Sequence, residues 1–296
     1  MDGFEGFMQK LDNLHSFRLH TGNINSYDEL KAQRFKDSSE ELEACLNLQF
    51  QSTPCPSDFK EDGTLLLCDR EHINRYVRDD LKITLKVFLS SWDPTEVRES
   101  FACLVEQLKT DDIELLILAF PELELVEGES EEAETARWLE AVKPIWTEAE
   151  ALSSSRKISS LGVGDVPVAW MRALCEWADH PPTVDHLKLD GCCMVPPELQ
   201  AYAREQDIQL LTHNDPHPVF PVADLFNRFC DLKHSTPVCH SQFRTTWAAR
   251  YTVWVRPLQA DSVTLGSFLG LALPRCHRTN TCKYLLNVPR CLPYIL

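Results

Sequence analysis

The 296-residue sequence has no excess of positive charge, no long apolar run and no Cys-x-x-Cys pair. Its formal net charge of −16 argues against nucleic acid or anionic membranes as partners, because both would repel it. No run approaches the roughly 20 apolar residues that a transmembrane helix needs. The acidic start MDGFEGFMQK also lacks the apolar segment of a signal peptide. We therefore expect a cytoplasmic protein, and a nuclear pool stays open.

Cysteine is abundant, with twelve residues, but its spacing is wrong for a structural zinc site. In a reducing compartment a framework of disulfides is not expected either. We expect most of these thiols to be small buried hydrophobic groups, and we expect no metal site.

From residue 80 onward, apolar runs alternate with amphipathic segments. Strands separated by single helices indicate right-handed βαβ crossovers and a parallel sheet. This pattern favours an α/β fold of the (β/α)8, TIM-barrel-like type, with a doubly wound open sheet as the alternative. The N-terminal residues 1–80 are less regular, with a strand within 17–24 and a helix at 37–50 capped by Asp37 or Ser38. The predicted strands are 81–89, 113–120, 157–164, 183–191, 208–215 and 247–255, and the predicted helices are 95–109, 134–152, 167–180, 196–207 and 221–232.

Three of the predicted strands resemble strands of a known protein family. VRDDLKITLKVF (77–88) resembles the third barrel strand of aldo-keto reductases, which carries the lysine of a catalytic Asp-Tyr-Lys-His tetrad, and Lys86 stands at the matching place. Ala119 stands where the family has the histidine. Gly164 and Asp165 stand where a Ser-Asn pair contacts the nicotinamide. The resemblance therefore implies an aldo-keto-reductase-type barrel with a vestigial site.

The missing tetrad members decide what chemistry to expect. Carbonyl reduction needs a proton donor of tuned pKa beside the substrate oxygen. No Asp-x4-Tyr precedes the strand of Lys86, and Tyr27 and Tyr76 lack that context. We interpret Lys86 as a relic or a structural ion-pair partner. We expect no catalytic residues and no cofactor, although weak NADPH binding stays open.

A narrower resemblance covers about residues 15–255. HTGNI (20–24), KISSLGVGDV (157–166), GCCMVPPEL (191–199) and DIQLLTHNDP (207–216) are similar to the regulatory (modifier) subunits of glutamate–cysteine ligase, a family with an aldo-keto-reductase-like barrel. This resemblance implies a non-catalytic subunit that forms a heterodimer with the ligase catalytic subunit, improves glutamate use and relieves inhibition by glutathione. The alternatives are an NADPH-dependent aldo-keto reductase with an altered site, and a scaffold with neither role.

Two groups of residues follow predicted strands, at the end of a barrel where sites are built. Cys192 and Cys193 point in opposite directions if the segment is extended, so we expect neither a shared metal nor catalysis. They are either a partly buried loop pair or a thiol at a subunit contact that forms a regulated intersubunit disulfide. His213 could serve as a base, but no nucleophile is evident beside it. We interpret Asn214-Asp215-Pro216 as a loop-shaping turn.

The end of the chain differs in composition from the rest. Residues 250–296 hold six Lys or Arg and one Asp, a net charge of +5, which leaves −21 for residues 1–249. We divide the chain into a barrel domain, 1–256, and a divergent basic tail, 257–296, that we expect to be poorly ordered. Cys276, Cys282, Cys291 and His277 are spaced poorly for zinc. Whether the tail closes the barrel stays open.

Overall fold

The computed structural model describes residues 16–21, 28–31, 33–52, 77–124, 126–188, 195–216, 244–255 and 280–289. They form eight strands and six α-helices, with a single 3-10 turn at Arg78–Asp80. The strands are β1 Ser16–His20, β2 Leu81–Leu89, β3 Ile113–Ala119, β4 Ile158–Gly164, β5 Val184–Lys188, β6 Gln209–His213, β7 Trp247–Val255 and β8 Asn280–Pro289. The helices are α1 Asp28–Lys31, α2 Ser38–Ser52, α3 Thr95–Leu108, α4 Glu131–Ser154, α5 Val168–Trp177 and α6 Pro197–Glu205.

All eight described strands belong to one sheet, in the order β1-β8-β7-β2-β3-β4-β5-β6. From β2 to β6 the neighbours are parallel, and one helix connects each strand to the next. This half of the sheet is the predicted βαβ series. The helix predicted at 221–232 and most of the loop after β5 lie outside the described residues.

The other half of the sheet differs from the prediction. β7 was expected to continue the parallel series, but it pairs with β2 antiparallel, from Leu81 opposite Val255 to Leu89 opposite Trp247. The physical reason is that β6 ends and β7 begins at the same edge of the sheet, so their connection needs no crossover. β7 is also not the last strand, because β8 follows and pairs antiparallel with both β7 and β1. Ten residues of the tail that we expected to be poorly ordered therefore form a strand.

The sheet is strongly curled. Lys86 on β2 and Asp215 just after β6 approach to 2.6 Å, although four strand spacings separate β2 from β6. In a flat sheet, four spacings of about 4.8 Å would hold them roughly 19 Å apart. No pairing of β1 with β6 occurs among the described residues. The expected fold class, an α/β fold of the (β/α)8, TIM-barrel-like type, is confirmed in this curled form.

The core lies between the outer face of the sheet and the helices. Leu85, Val87, Leu116 and Leu118 project from the strands and are fully buried in one apolar cluster. The longest helix, α4, packs its most buried residues into this cluster. Each such side chain contributes about 1.5–3 kcal/mol by leaving water. The buried residues of α4 are Trp138, Val142, Ile145, Trp146, Ala149 and Leu152.

Helix α4 begins three residues earlier than predicted and continues through its proline. The Ser130 side chain accepts a hydrogen bond from the N–H of Ala133, which caps the first turn inside the glutamate-rich segment. Pro144 lies in the middle of the helix and does not divide it, because the packed face on both sides holds the helix together. At the start of α2, Asp37 accepts hydrogen bonds from the N–H groups of Ser39 and Glu40, as the cap prediction anticipated. No helix in the described part of the chain is long and apolar enough to span a bilayer.

Candidate functional site

A buried ion pair lies inside the curl of the sheet. Lys86 Nζ is 2.6 Å from Asp215 Oδ2, and the two side chains are 5% and 3% exposed. Burial lowers the pKa of Lys86, although Asp215 opposes that shift. Burial alone would raise the pKa of Asp215, but the charges of Lys86 and His213 bring it down to about 2. The Asp215 carboxylate is therefore ionised throughout the physiological range.

Asp215 connects several elements of the fold. The Ser38 hydroxyl at the start of α2 donates to Oδ1, and Arg250 Nη1 on β7 lies 3.9 Å from the same oxygen. The backbone N–H of Asp215 donates to Nδ1 of His213 at 3.0 Å. One carboxylate thus links β2, α2, β6 and β7 at the carboxyl edge of the parallel strands. This arrangement goes beyond the loop-shaping role that we assigned to Asn214-Asp215-Pro216.

A second carboxylate joins the ends of β4, β5 and β6. Asp165 Oδ1 accepts the backbone N–H of Lys188 at 2.7 Å, and Oδ2 is 2.9 Å from Nε2 of His213. Burial would raise the pKa of Asp165, but the contact with His213 lowers it. Asp165 has a φ of +56°, an unfavourable conformation for a residue with a side chain, which these contacts offset. Both oxygens of the residue expected near a nicotinamide are thus used within the fold.

The two histidines of this edge lie against each other. The rings of His186 and His213 meet edge to face with their centroids 4.6 Å apart. Nε2 of His186 donates to the carbonyl of Thr212 at 3.0 Å. Burial and the charge of Lys86 lower the pKa of His186 to about 4, so this ring is neutral at pH 7. His213 is committed to Asp165 and Asp215, which leaves it poorly placed to act as a general base.

The positions equivalent to the missing reductase residues are next to Lys86. Ala119 ends β3 and is 8% exposed, and its methyl group offers no proton for transfer. Gly164 lies beside it: a Cβ added there would be 3.4 Å from Cε of Lys86 and 3.6 Å from Cβ of Ala119. The structure therefore brings together Lys86, Ala119, Gly164 and Asp165, the four residues that the resemblance pointed to.

A cavity of about 350 Å³ opens at this edge of the sheet. Aromatic rings form much of its wall: Trp138 and Trp170 stack with centroids 4.9 Å apart, and Phe120 meets Trp138 edge to face at 5.6 Å. Among the described residues, the charged side chains that line it are all acidic, namely Glu122, Glu134, Asp165 and Asp215.

Tyrosine is the usual acid of a reductase, and neither of the two tyrosines whose side chains the structure describes, Tyr202 and Tyr251, lies beside Lys86. Tyr251 pairs in register with Leu85, so the alternation of the strand directs it to the face opposite Lys86. Tyr202 lies on α6 with its ring 4.4 Å from the guanidinium of Arg172. Tyr27 and Tyr76 lie outside the described residues.

Several other predicted positions cannot be placed. Cys192 and Cys193 fall in the segment 189–194, and Cys276 and His277 precede β8, all outside the described residues. Among the residues that are described, no three His, Cys, Asp or Glu side chains are arranged to hold a metal ion. Sequence reasoning found Lys86 but missed its partner. The available signal was an acidic residue two positions after the end of a strand, at the edge where the ends of parallel strands converge.

Comparison with known proteins gives a consistent set of sequence relatives. No family model matches the chain. Over 252 residues it is 31% identical to the glutamate–cysteine ligase regulatory subunit of Mus musculus and 30% identical to that of Homo sapiens. Each alignment covers 81% of this chain and 87% of the relative.

Solved structures with partial likeness include an aldo-keto reductase from a Medee basin deep-sea metagenome library (TM-score 0.37, 19% identity). Another is the aldose reductase of Giardia lamblia (TM-score 0.36, 18% identity). The first match covers 45% of this chain and 44% of the other, and the second covers 47% of both.

Proposed function

This chain belongs to the glutamate–cysteine ligase regulatory subunit family, and we propose that it is a non-catalytic subunit that binds the ligase catalytic subunit and regulates glutathione synthesis. The observation that carries the proposal is the 31% identity to a curated regulatory subunit over 252 residues. Because the alignment covers 87% of that relative, the likeness extends over most of a regulatory subunit. We place the complex in the cytoplasm.

The buried charges support a role without chemistry. The amine of Lys86 is buried and paired with Asp215 at 2.6 Å, a contact that has a structural role without any catalytic one. Ala119 supplies no acid or base, and Asp165 is held by Lys188 and His213. These groups stabilise the carboxyl edge of the sheet, in keeping with our interpretation of Lys86 as a structural ion-pair partner.

Regulation then has to act through the partner's conformation. Docking favours a state of the catalytic subunit that binds glutamate more tightly than it binds glutathione. The effect is a coupling free energy between the docking surface and the partner's active site. Coupling of this kind is typically about 1–3 kcal/mol, which corresponds to roughly 5- to 150-fold changes in affinity.

Association is the step to test first. We expect this chain and the catalytic subunit to co-elute as a 1:1 complex from a size-exclusion column in reducing buffer, with multi-angle light scattering giving the mass. An unrelated acidic protein of similar size is the control. If the two proteins elute as separate peaks at concentrations well above 10 µM, the proposal is contradicted.

The adjacent cysteines give the complex a redox-sensitive element. We propose that Cys192 or Cys193 forms an intersubunit disulfide under oxidising conditions. The C192S/C193S variant should still bind in reducing buffer but lose the oxidant-dependent cross-link on a non-reducing gel. An unchanged cross-link in that variant would show that other thiols are responsible.

An aldo-keto reductase remains the alternative, because a lysine–carboxylate pair lies beside an aromatic cavity at the carboxyl edge. Its test is NADPH oxidation with aromatic aldehydes, followed at 340 nm. Turnover that disappears in the K86M variant would favour the reductase, whereas background rates for the wild-type chain would favour the regulatory role.

A further inference from the structure

The cavity at the carboxyl edge has the size and rigidity of a ligand site. Its volume of about 350 Å³ falls in the range of small-molecule pockets, roughly 300–1,000 Å³. Trp138 is fully buried, and Trp170 stacks on it. Phe120 is held between Trp138 on one side and Trp92, whose ring centroid is 6.2 Å away, on the other. Such mutual packing fixes the wall in one shape.

The charge of the cavity is negative. Lys86 is committed to Asp215, and His213 is committed to Asp165. Glu122 and Glu134 also line the cavity, and neither forms an ion pair with any residue that the structure describes. A ligand carrying a carboxylate or phosphate would therefore be repelled, while a cation would be attracted.

A neighbouring half-buried cation, Arg137, forms its direct contacts elsewhere. Arg137, one turn along α4 from Glu134, donates to Glu129 at 2.6 Å and to the carbonyl of Glu124. It therefore does not neutralise the two cavity glutamates by a direct pair.

We propose that this cavity binds a small aromatic cation. The ring packs against Trp170 and Phe120, and the aromatic faces attract the positive charge. The ammonium group lies near Glu122 and Glu134, the two lining glutamates that form no ion pair with a described residue. This inference is independent of the regulatory role, because it needs neither the catalytic subunit nor NADPH.

Three ligands of nearly the same shape test the charge requirement. We use 5-methoxytryptamine as the cation, 5-methoxytryptophol as the neutral form and 5-methoxyindole-3-acetate as the anion, each titrated calorimetrically into the full chain at pH 7.5 and low salt. The cation should bind roughly tenfold more tightly than the neutral compound, and the anion more weakly than both. Equal affinity for all three, a preference for the anion, or no binding of the cation at millimolar concentration would overturn the proposal.

Two glutamates in the first turn of α4 provide a test variant and a matched control for the carboxylate that attracts the cation. Glu134 lines the cavity, whereas Glu131 is exposed and does not. The E134Q variant should weaken binding of the cation by roughly three- to tenfold and leave the neutral compound unchanged. The E131Q variant removes the same charge from the same turn and should bind the cation as the wild type does.

Comparison of the E131Q and E134Q variants distinguishes a local binding site from a general effect of net charge. Equal weakening by E131Q and E134Q would overturn the proposal, because it would trace the attraction to net charge alone. Circular dichroism melts of both variants confirm that the fold is retained, since each substitution is at a partly or fully exposed position.

Discussion

Two regions of the sheet bury an aspartate equally deeply but leave it in opposite states. Asp215, inside the curl, and Asp185, in the middle of β5, are 2% and 0% exposed. Burial would raise the pKa of both, yet the pKa of Asp215 falls to about 2 because Lys86 and His213 lie beside it. The pKa of Asp185 rises to about 8 through burial and the charge of Asp165. The contrast shows that partners, and not depth, decide whether a buried carboxyl is charged.

The difference comes from which face of the sheet each group occupies. Asp185 pairs in register with Val163 and Leu210, so it projects into the apolar layer under the helices. Neither of its carboxyl oxygens has a hydrogen-bond partner among the described residues. Asp215 lies at the opposite, polar face, where Ser38, Lys86 and Arg250 converge. The inner face of the sheet holds charged groups in ion pairs, such as Lys86 with Asp215. On the outer face, the buried Asp185 is mostly protonated at pH 7.

Breaking the inner pair should have the largest effect on stability. The D215A variant leaves Lys86 buried without its carboxylate, and we expect a loss of about 3–5 kcal/mol in the free energy of unfolding. Guanidinium denaturation at pH 7 measures this loss. The K86M/D215L double variant removes both charges, and it should cost much less than the single change.

The pH dependence of stability tests the same ion pair. Because the folded pKa of Asp215 is about 2 and the unfolded value is 3.8, its contribution is present above pH 3.8 and is lost as the pH falls toward 2. Two results would contradict the role of the Lys86–Asp215 pair in stabilising the carboxyl edge of the sheet. One is a loss below about 1 kcal/mol in the free energy of unfolding of D215A, and the other is a K86M/D215L variant as unstable as D215A.

Removing the outer acid should have a smaller effect and the opposite sign. The folded pKa of Asp185, about 8, lies above its unfolded value of 3.8, so the stability of the wild type is lost as the pH rises from about 4 to 8. The D185N variant should therefore be more stable by about 1–3 kcal/mol at pH 8 and equal to the wild type near pH 4. Urea denaturation across this pH range measures the difference. A D185N variant that is less stable at pH 8 would reveal a partner for this carboxyl in the remaining part of the chain.

The sequence predicted the parallel half of the fold well, for a clear reason. Strands β2 and β3 are rich in apolar residues and buried on both faces over their C-terminal halves, so their bounds matched to within one residue. The orientation of β7 was wrong because an apolar run such as WAARYTVWV carries no information about direction. β8 was missed because its residues follow a segment with no resemblance to the family.

Half of the inner site was also predictable. Lys86 was found from its strand motif, but 129 residues separate it from Asp215, and local patterns cannot show that a sheet curls enough to join them. The raised pKa of Asp185 had a weak signal, an acid inside the predicted strand TVDHLKL. Its meaning depends on which face of β5 meets the helices, which only the fold reveals.

The central proposal, that this chain regulates a ligase and performs no chemistry of its own, is tested most directly by steady-state kinetics of the ligase catalytic subunit. The measurement is its apparent KM for glutamate and its inhibition constant for glutathione, with and without this chain in reducing buffer. We expect the chain to lower the KM and raise the inhibition constant. If neither changes at saturating concentrations of a folded chain, the regulatory role is contradicted.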